Sequence, residues 1–264
     1  MTEIEVENLN FGYSSDSQIL HDVNLRLDGP GLYCIIGPNG VGKSTFVKCI
    51  NKILEPTEGT VRIDGKDVKD MSIKEIAEYI AFVPANSSDC FSMPVIDTIL
   101  IGRHNKQKWR TTSRDLAIVH KAMDLLDLEP LAMHGYNELS AGQHQRVSLA
   151  RGLVQETPIL ILDEPTANLD VKHQVYVAEM LRDLAERCNL MVLMICHDLN
   201  IAARYSHEII VMGPPGTIVC VGPPNEVITE EIIEEIYGIK CHIITFEDSP
   251  CVILRSAFTD DAMD

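Results

Sequence analysis

Residues 31–45 read GLYCIIGPNGVGKST, and they decide the fold. Gly31 to Ile36 is a short apolar run that suits a strand buried on both faces. A glycine-rich turn ends it, and a helix from about Lys43 carries Phe46, Val47 and Ile50 inward. Between strand and helix, Gly37, Pro38, Asn39, Gly40, Val41, Gly42, Lys43, Ser44 and Thr45 fit G-x-x-x-x-G-K-[ST]. The glycines let the backbone wrap with its N–H groups pointing inward. Those donors, with the positive end of the helix, attract phosphate oxygens. Lys43 is placed to reach the β and γ phosphates of a nucleotide, and Ser44 to offer its hydroxyl to Mg²⁺. A tight turn with an accidental lysine does not account for strand, loop and helix in this order.

Pro158 to Pro165 read PILILDEP. This is a buried strand that delivers two carboxylates at its C-terminal end, the edge of a parallel sheet where ligands sit. Asp163 is the candidate Mg²⁺ ligand, directly or through water. Glu164, one residue on, points elsewhere and can polarise an attacking water. Alone, an apolar strand ending in acids says little; beside a phosphate loop it says much. A third segment, LSAGQHQR, covers Leu139 to Arg146. Ser140 reads as a helix N-cap and Gln143 as its capping-box partner. Gly142 removes a side chain near that helix start, so an anion can approach beside Ala141. In isolation the stretch is only a capped helix.

Outward from these segments, Ile4, Val6 and Leu9 roughly alternate with polar residues, and Val23, Leu25 and Leu27 do so strictly. That suits half-buried antiparallel strands. A hairpin-like GTVRIDGKDV, a helix over Ile73 to Tyr79 and a strand over Ile80 to Val83 follow. From residue 86 to 153 helical signals replace strands: Val95 to Gly102, Ser113 to Leu126 and Ser140 to Val154. The core resumes with the strand Ile159 to Leu162. A long helix then sets Val171, Val175, Ala178, Leu181 and Leu184 on one face. Leu190 to Ile195 is a third buried strand. Ile209 to Met212 and Thr217 to Val221 form a hairpin across the turn GPPG. Residues 225 to 264 hold a C-terminal extension with a helix, Thr229 to Tyr237, and two strands. The expected class is α/β, a P-loop NTPase core with a mainly parallel sheet, an N-terminal antiparallel β subdomain and an inserted α-helical subdomain (86–153), all within one domain (1–264).

Composition sets limits. The chain has 264 residues, 45% apolar and 23% charged, which supports a sizeable core. Acidic residues outnumber basic ones by 39 to 22, for a net charge of −17. So negative a surface repels polyanions, and no nucleic-acid partner is expected. The eight cysteines show no C-x-x-C spacing, so they read as free, buried thiols in a reducing compartment. The longest apolar run, Leu190 to Cys196, falls far short of the roughly 20 residues a spanning helix needs. MTEIEVENLN lacks the basic-then-apolar order of a signal peptide. A cytoplasmic protein that reaches a membrane only through a partner is the expectation.

Taken together, the phosphate loop, LSAGQ, the Asp163 strand and the downstream His197 resemble the ATP-binding subunit of ABC transporters over about residues 1 to 225. LSAGQ is similar to the family's LSGGQ signature, with Ala141 in place of the first glycine. The resemblance implies ATP and Mg²⁺ as cofactors. It gives Tyr13 as the aromatic that stacks on adenine and His197 as the switch histidine that contacts the γ phosphate, beside the catalytic Glu164. Asn168-Leu169-Asp170 becomes the loop facing an opposite subunit. It further implies a head-to-tail pair, best a homodimer, with ATP between Gly37–Thr45 of one chain and Ser140, Ala141, Gly142 and Gln143 of the other. The partners implied are an integral membrane permease, touched near residues 86 to 112, and, indirectly, an extracytoplasmic substrate-binding protein. The chain would then lie on the cytoplasmic face of the membrane. Gly222-Pro223-Pro224, the segment Val227 to Ile239, and Gly102-Arg103-His104 with Trp109 resemble importers of iron chelates, haem and cobalamin. One departure stands out: where the family places a glutamine after Phe82-Val83-Pro84, this chain has Ala85. Either Asn86 supplies the carboxamide, or hydrolysis proceeds without that ligand. The competing readings are a soluble ABC-type ATPase and a nucleotide-binding scaffold without hydrolysis.

Overall fold

The computed structural model describes residues 2–14, 17–85, 92–106, 111–167 and 169–256. In chain order it begins β1 (Glu3–Ser14), β2 (Ser17–Asp28), β3 (Gly31–Ile36), α1 (Lys43–Ile50), β4 (Glu58–Ile63), β5 (Lys66–Asp67), α2 (Ile73–Tyr79) and β6 (Ile80–Val83). Three helices follow without an intervening named strand: α3 (Val95–Leu100), α4 (Ser113–Leu125) and α5 (Ala141–Leu153). The chain then returns to β7 (Ile159–Leu162), α6 (Val171–Cys188), β8 (Met191–Ile195), α7 (Leu199–Tyr205), β9 (Glu208–Gly213) and β10 (Thr217–Gly222). It ends with α8 (Pro224–Val227), α9 (Glu230–Tyr237), β11 (Lys240–Phe246) and β12 (Ser249–Ser256).

The central sheet has the order β10-β9-β3-β8-β7-β6. Its strands from β9 to β6 are parallel, and β10 joins the edge antiparallel. The N-terminal strands form a separate antiparallel sheet, β2-β1-β4-β5. The two-residue period of a strand divides the core between the two faces of the central sheet. Tyr33, Ile35, Ile159, Ile161, Leu193 and Ile195 pack with α1 and the N-terminal sheet. Leu32, Cys34, Ile36, Leu160, Leu162 and Met194 pack with the helices on the other side. Both faces being covered explains why these strands read as unbroken apolar runs.

The helices between β6 and β7 are fastened by a buried cation. Arg103 is 4% exposed. Its Nε lies 3.0 Å from Asp115, and its Nη1 donates to Glu156 at 2.7 Å and to the Val154 carbonyl at 2.6 Å. The glycine before it is required by contact. A Cβ on Gly102 would sit 2.4 Å from the Arg151 carbonyl oxygen.

Two expectations need correction. Val171 is 75% exposed, and Val175 and Leu184 are only half-buried. Helix α6 instead buries Val177, Ala178, Met180, Leu181 and Ala185. Its first turn stands beside an open concavity lined by Asp170 and His173, beyond the cover of the sheet. Cys90 lies outside the described residues. Among the described residues the cysteines are free as expected, and Cys34, Cys49, Cys196 and Cys241 are buried, but Cys188 is exposed. It ends α6, where the helix leaves the core. Among the described residues no helix is long and apolar enough to cross a membrane.

Candidate nucleotide site

The phosphate loop joins β3 to α1 at the C-terminal edge of the parallel strands. Gly37 has a φ of +149°, and a Cβ there would lie 2.2 Å from the Met212 carbonyl oxygen. Glycine is therefore required where the loop leaves β3 and passes β9. Gly42 caps α1 in the left-handed conformation, and no side chain caps this end. The first N–H groups of α1 are left for a ligand.

Lys43 is 5% exposed, and its Nζ donates to the carbonyls of Gly37 at 2.7 Å and Pro38 at 2.8 Å. Burial lowers its pKa, and the carboxylates of Glu164 and Asp163 oppose that shift. The ammonium is held on weak neutral acceptors, from which a phosphate can draw it. Ser44 Oγ donates to Asp163 Oδ1 at 2.8 Å. Burial raises the pKa of Asp163, while the Ser44 hydrogen bond lowers it. The loop and the β7 acid, 119 residues apart, are thus brought together as the sequence suggested.

Glu164 follows in the left-handed region, with φ +54°. Such a conformation is unfavourable for a residue with a side chain. Here it turns the chain so that Glu164 and Asp163 diverge. Glu164 Oε1 lies 2.6 Å from His197 Nε2. His197 stands at the end of β8, and the next residue, Asp198, caps α7 by accepting from the N–H groups of Asn200 and Ile201. The carboxylate and imidazole are both part-exposed, open to a ligand on the loop side.

The Ser140 capping box is present. Ser140 Oγ accepts from Gln143 N at 3.3 Å, and Gln143 Oε1 accepts from Ser140 N at 2.8 Å. The concavity beside it, about 430 Å³, is lined by Ser140, Ala141, Gly142, Gln143, Asp170 and His173, and by no residue of Gly37–Thr45. A link the sequence did not suggest joins the two regions: Gln145 Nε2 donates to the Glu164 carbonyl at 3.4 Å. Tyr13 ends β1, 62% exposed, with its ring edge-to-face on Phe11 at 5.0 Å. It presents a free aromatic face. Asn86, Trp109 and Asn168 lie outside the described residues. An apolar groove of about 630 Å³ lies between α4, the end of α5 and the end of α6, and contains none of the candidate residues.

A phosphate loop opening a helix, beside a strand that ends in Asp-Glu at the edge of a parallel sheet, defines a P-loop ATPase. The chain belongs to the ABC transporter family, whose pattern matches residues 20–167. It is 40% identical to an uncharacterised ABC transporter ATP-binding protein of Methanocaldococcus jannaschii, over 95% of this chain and 97% of that one. It is 35% identical to the ferric enterobactin transport ATP-binding protein of Escherichia coli, over 90% of this chain and 88% of that one. With a cobalamin import ATP-binding protein of Halobacterium salinarum it shares 38% identity, over 87% of this chain and 57% of that one. Among solved structures, a metal-chelate-type ABC transporter in an inward-facing conformation superposes with a TM-score of 0.81 at 25% identity, covering 97% of each chain. A dimeric ABC transporter cassette gives 0.76 at 28% identity, over 84% of this chain and 98% of that one. This is an ATP-binding subunit related to those of iron-chelate and cobalamin importers.

Proposed function

We propose that this chain powers uptake of an iron-chelate, haem or cobalamin-type substrate, hydrolysing MgATP between two copies of itself docked beneath a membrane permease. The observation that carries the reading is the Glu164–His197 pair beside the phosphate loop, in a chain whose relatives over most of their length include a ferric enterobactin transport and an iron(3+)-hydroxamate import ATP-binding protein.

The roles follow from position. The N–H groups of Gly37–Thr45 and the start of α1 bind the phosphates, Lys43 moves onto the β and γ oxygens, and Tyr13 stacks on the base. Ser44 and Asp163 fit Mg²⁺: both offer oxygen, and Mg²⁺ takes one or two protein ligands beside phosphates and water. Among the described residues no cluster of three His, Cys, Asp or Glu side chains could hold a metal alone, in keeping with an ion that arrives with the nucleotide. Bound there, the ion would neutralise phosphate charge. Glu164 orients and polarises the attacking water, and His197 holds Glu164 and reads the γ phosphate.

Ser140–Gln143 opens onto its own concavity, away from the phosphate loop of the same chain. A second copy, turned head to tail, supplies it to the γ phosphate, and loss of that phosphate loosens the pair. In this reading the helices fastened by Arg103 serve as the face toward the permease, with the chain at the membrane periphery. A tagged pull-down from mildly solubilised native membranes tests the reading. A polytopic permease recovered in near equal amount supports it; only soluble proteins or ribosomes, from a well-expressed chain, would move the assignment to a soluble ABC ATPase.

A further inference from the structure

The carboxylate at the centre of the site stands on an unfavourable backbone. Glu164 has a φ of +54°, and the proline that follows it, Pro165, favours extended backbone in the residue before it. Such a conformation persists only where the surroundings hold it. The strand β7 ends at Leu162, before Glu164 is reached. The hold comes from the stretch that follows, and two glutamines on two different helices supply it.

Gln174 lies near the start of α6. Its backbone N–H donates to the Asp170 carbonyl at 2.9 Å, which fixes the residue where the helix begins. Its Nε2 reaches back past that start and donates to the Leu169 carbonyl at 3.1 Å and to the Thr166 carbonyl at 3.3 Å. Both hydrogens of the carboxamide are thereby used. From the other side comes Gln145, which is buried on α5. Its Nε2 donates at 3.4 Å to the Glu164 carbonyl, where the Ala167 N–H also arrives at 3.1 Å. The carbonyls of Glu164, Thr166 and Leu169 are therefore all held by these two side chains.

We propose that Gln174 and Gln145 are positioning residues for Glu164, fixing the path of the chain that leaves it so that its carboxylate stays aimed at the attacking water. The proposal rests on the reading of Glu164 as the group that polarises that water. The side-chain hydrogen bonds of the two glutamines go to the stretch after β7 and, among the described residues, none goes to Gly37–Thr45. Their loss should therefore leave nucleotide binding in place and fall on the chemical step. Once released, the Glu164 peptide relaxes toward the extended form that Pro165 favours, and the carboxylate leaves His197. A small misplacement of a group that must orient a reactant is enough to cost turnover.

Gln174→Met and Gln145→Met keep length and bulk and remove the donors. In the full chain, phosphate release at saturating MgATP should fall roughly 5- to 30-fold for Gln174→Met, the range of two neutral hydrogen bonds, and about 2- to 10-fold for Gln145→Met, the range of one. KM for MgATP should stay near that of the parent in both, as should the upward shift in melting temperature given by MgATP. Val177→Ala is the control: it thins the core further along α6, where Val177 is buried, and touches none of the three carbonyls. It should lower the melting temperature and leave kcat alone. An unchanged kcat in Gln174→Met, with Glu164→Gln inactive, overturns the proposal by itself. So does an equal fall in kcat for Val177→Ala, which would assign the effect to helix packing. Glu164→Gln turning over at the parent's rate would remove the reading beneath the proposal, and the proposal with it.

Discussion

Glu164 and His197 meet at 2.6 Å although they end different strands, β7 and β8, that lie side by side in the sheet. The left-handed φ of Glu164 makes the meeting possible, because an extended residue there would continue the direction of β7. The pair is thus assembled by sheet order and one unfavourable backbone angle, with His197 held by a capped turn. Removing the negative charge while keeping the shape isolates what the carboxylate does. Glu164→Gln should lower ATP turnover by about 100-fold or more, the usual worth of a positioned base. It should also retain MgATP binding and accumulate a nucleotide-bound dimer. Light scattering at saturating MgATP would contradict this by finding only monomer.

Asp163 is 4% exposed and its pKa is raised by burial. A raised folded pKa means the folded chain holds the proton more tightly than the unfolded one. Asp163 therefore favours folding in acid and opposes it once pH rises through the folded pKa. Asp163→Asn should make the nucleotide-free chain more heat-stable at neutral pH, by on the order of 1 kcal/mol. That advantage should fade below about pH 4, where the carboxyl is protonated in both states. The same variant should lose turnover. Thermal denaturation at two pH values checks it, and a variant less stable than the parent at neutral pH would refute the argument.

Arg103 binds Asp115, Glu156 and the Val154 carbonyl from a nearly closed position. The pKa of Asp115 is lowered first by hydrogen bonds from Thr112 and then by Arg103. Its contribution to stability is present above the unfolded pKa and is lost as pH falls through the lowered folded value. Arg103→Ala leaves Asp115 without its cation and opens space beneath α5. We expect a loss of roughly 3 kcal/mol, with the gap to the parent narrowing in acid. Urea denaturation at neutral and acidic pH measures both; a loss that did not depend on pH would mean that packing alone is at stake.

Much of this was legible in the sequence, for physical reasons that differ from element to element. Ile73–Tyr79 is announced by Ser72 and Glu75, which form a capping box in the structure. β3 and β7 read as unbroken apolar runs because both their faces are covered. Asp163 and Ser44 could be paired because a phosphate loop and an acid-ended strand make one site. What escaped was non-local. Arg103 reaches a carbonyl 51 residues away, and no periodicity reports that. Val171 satisfied the helical period yet faces solvent, because period says which side of a helix is apolar and not how far the sheet beneath it extends.

Ala85 gives the last expectation. β6 pairs with β7, and the Asp163 N–H donates to the Val83 carbonyl at 2.9 Å. Ala85 is two residues past that carbonyl and half-buried, so it borders the edge where Ser44 and Asp163 meet. A longer side chain there can extend toward the metal and the γ phosphate, and alanine offers no oxygen to either. The family resemblance puts a glutamine at this point, where it senses Mg²⁺ and links ATP to the membrane subunit. Ala85→Gln should therefore raise ATPase activity or tighten its coupling to transport. The gain should be modest, about 2- to 10-fold, since one added neutral contact contributes roughly 0.5–1.5 kcal/mol. Phosphate release by the full chain, and transport per ATP in the assembled complex, measure the two arms. If neither changes, the site works without a ligand from this loop, and Ala85 is simply a small residue at the end of β6.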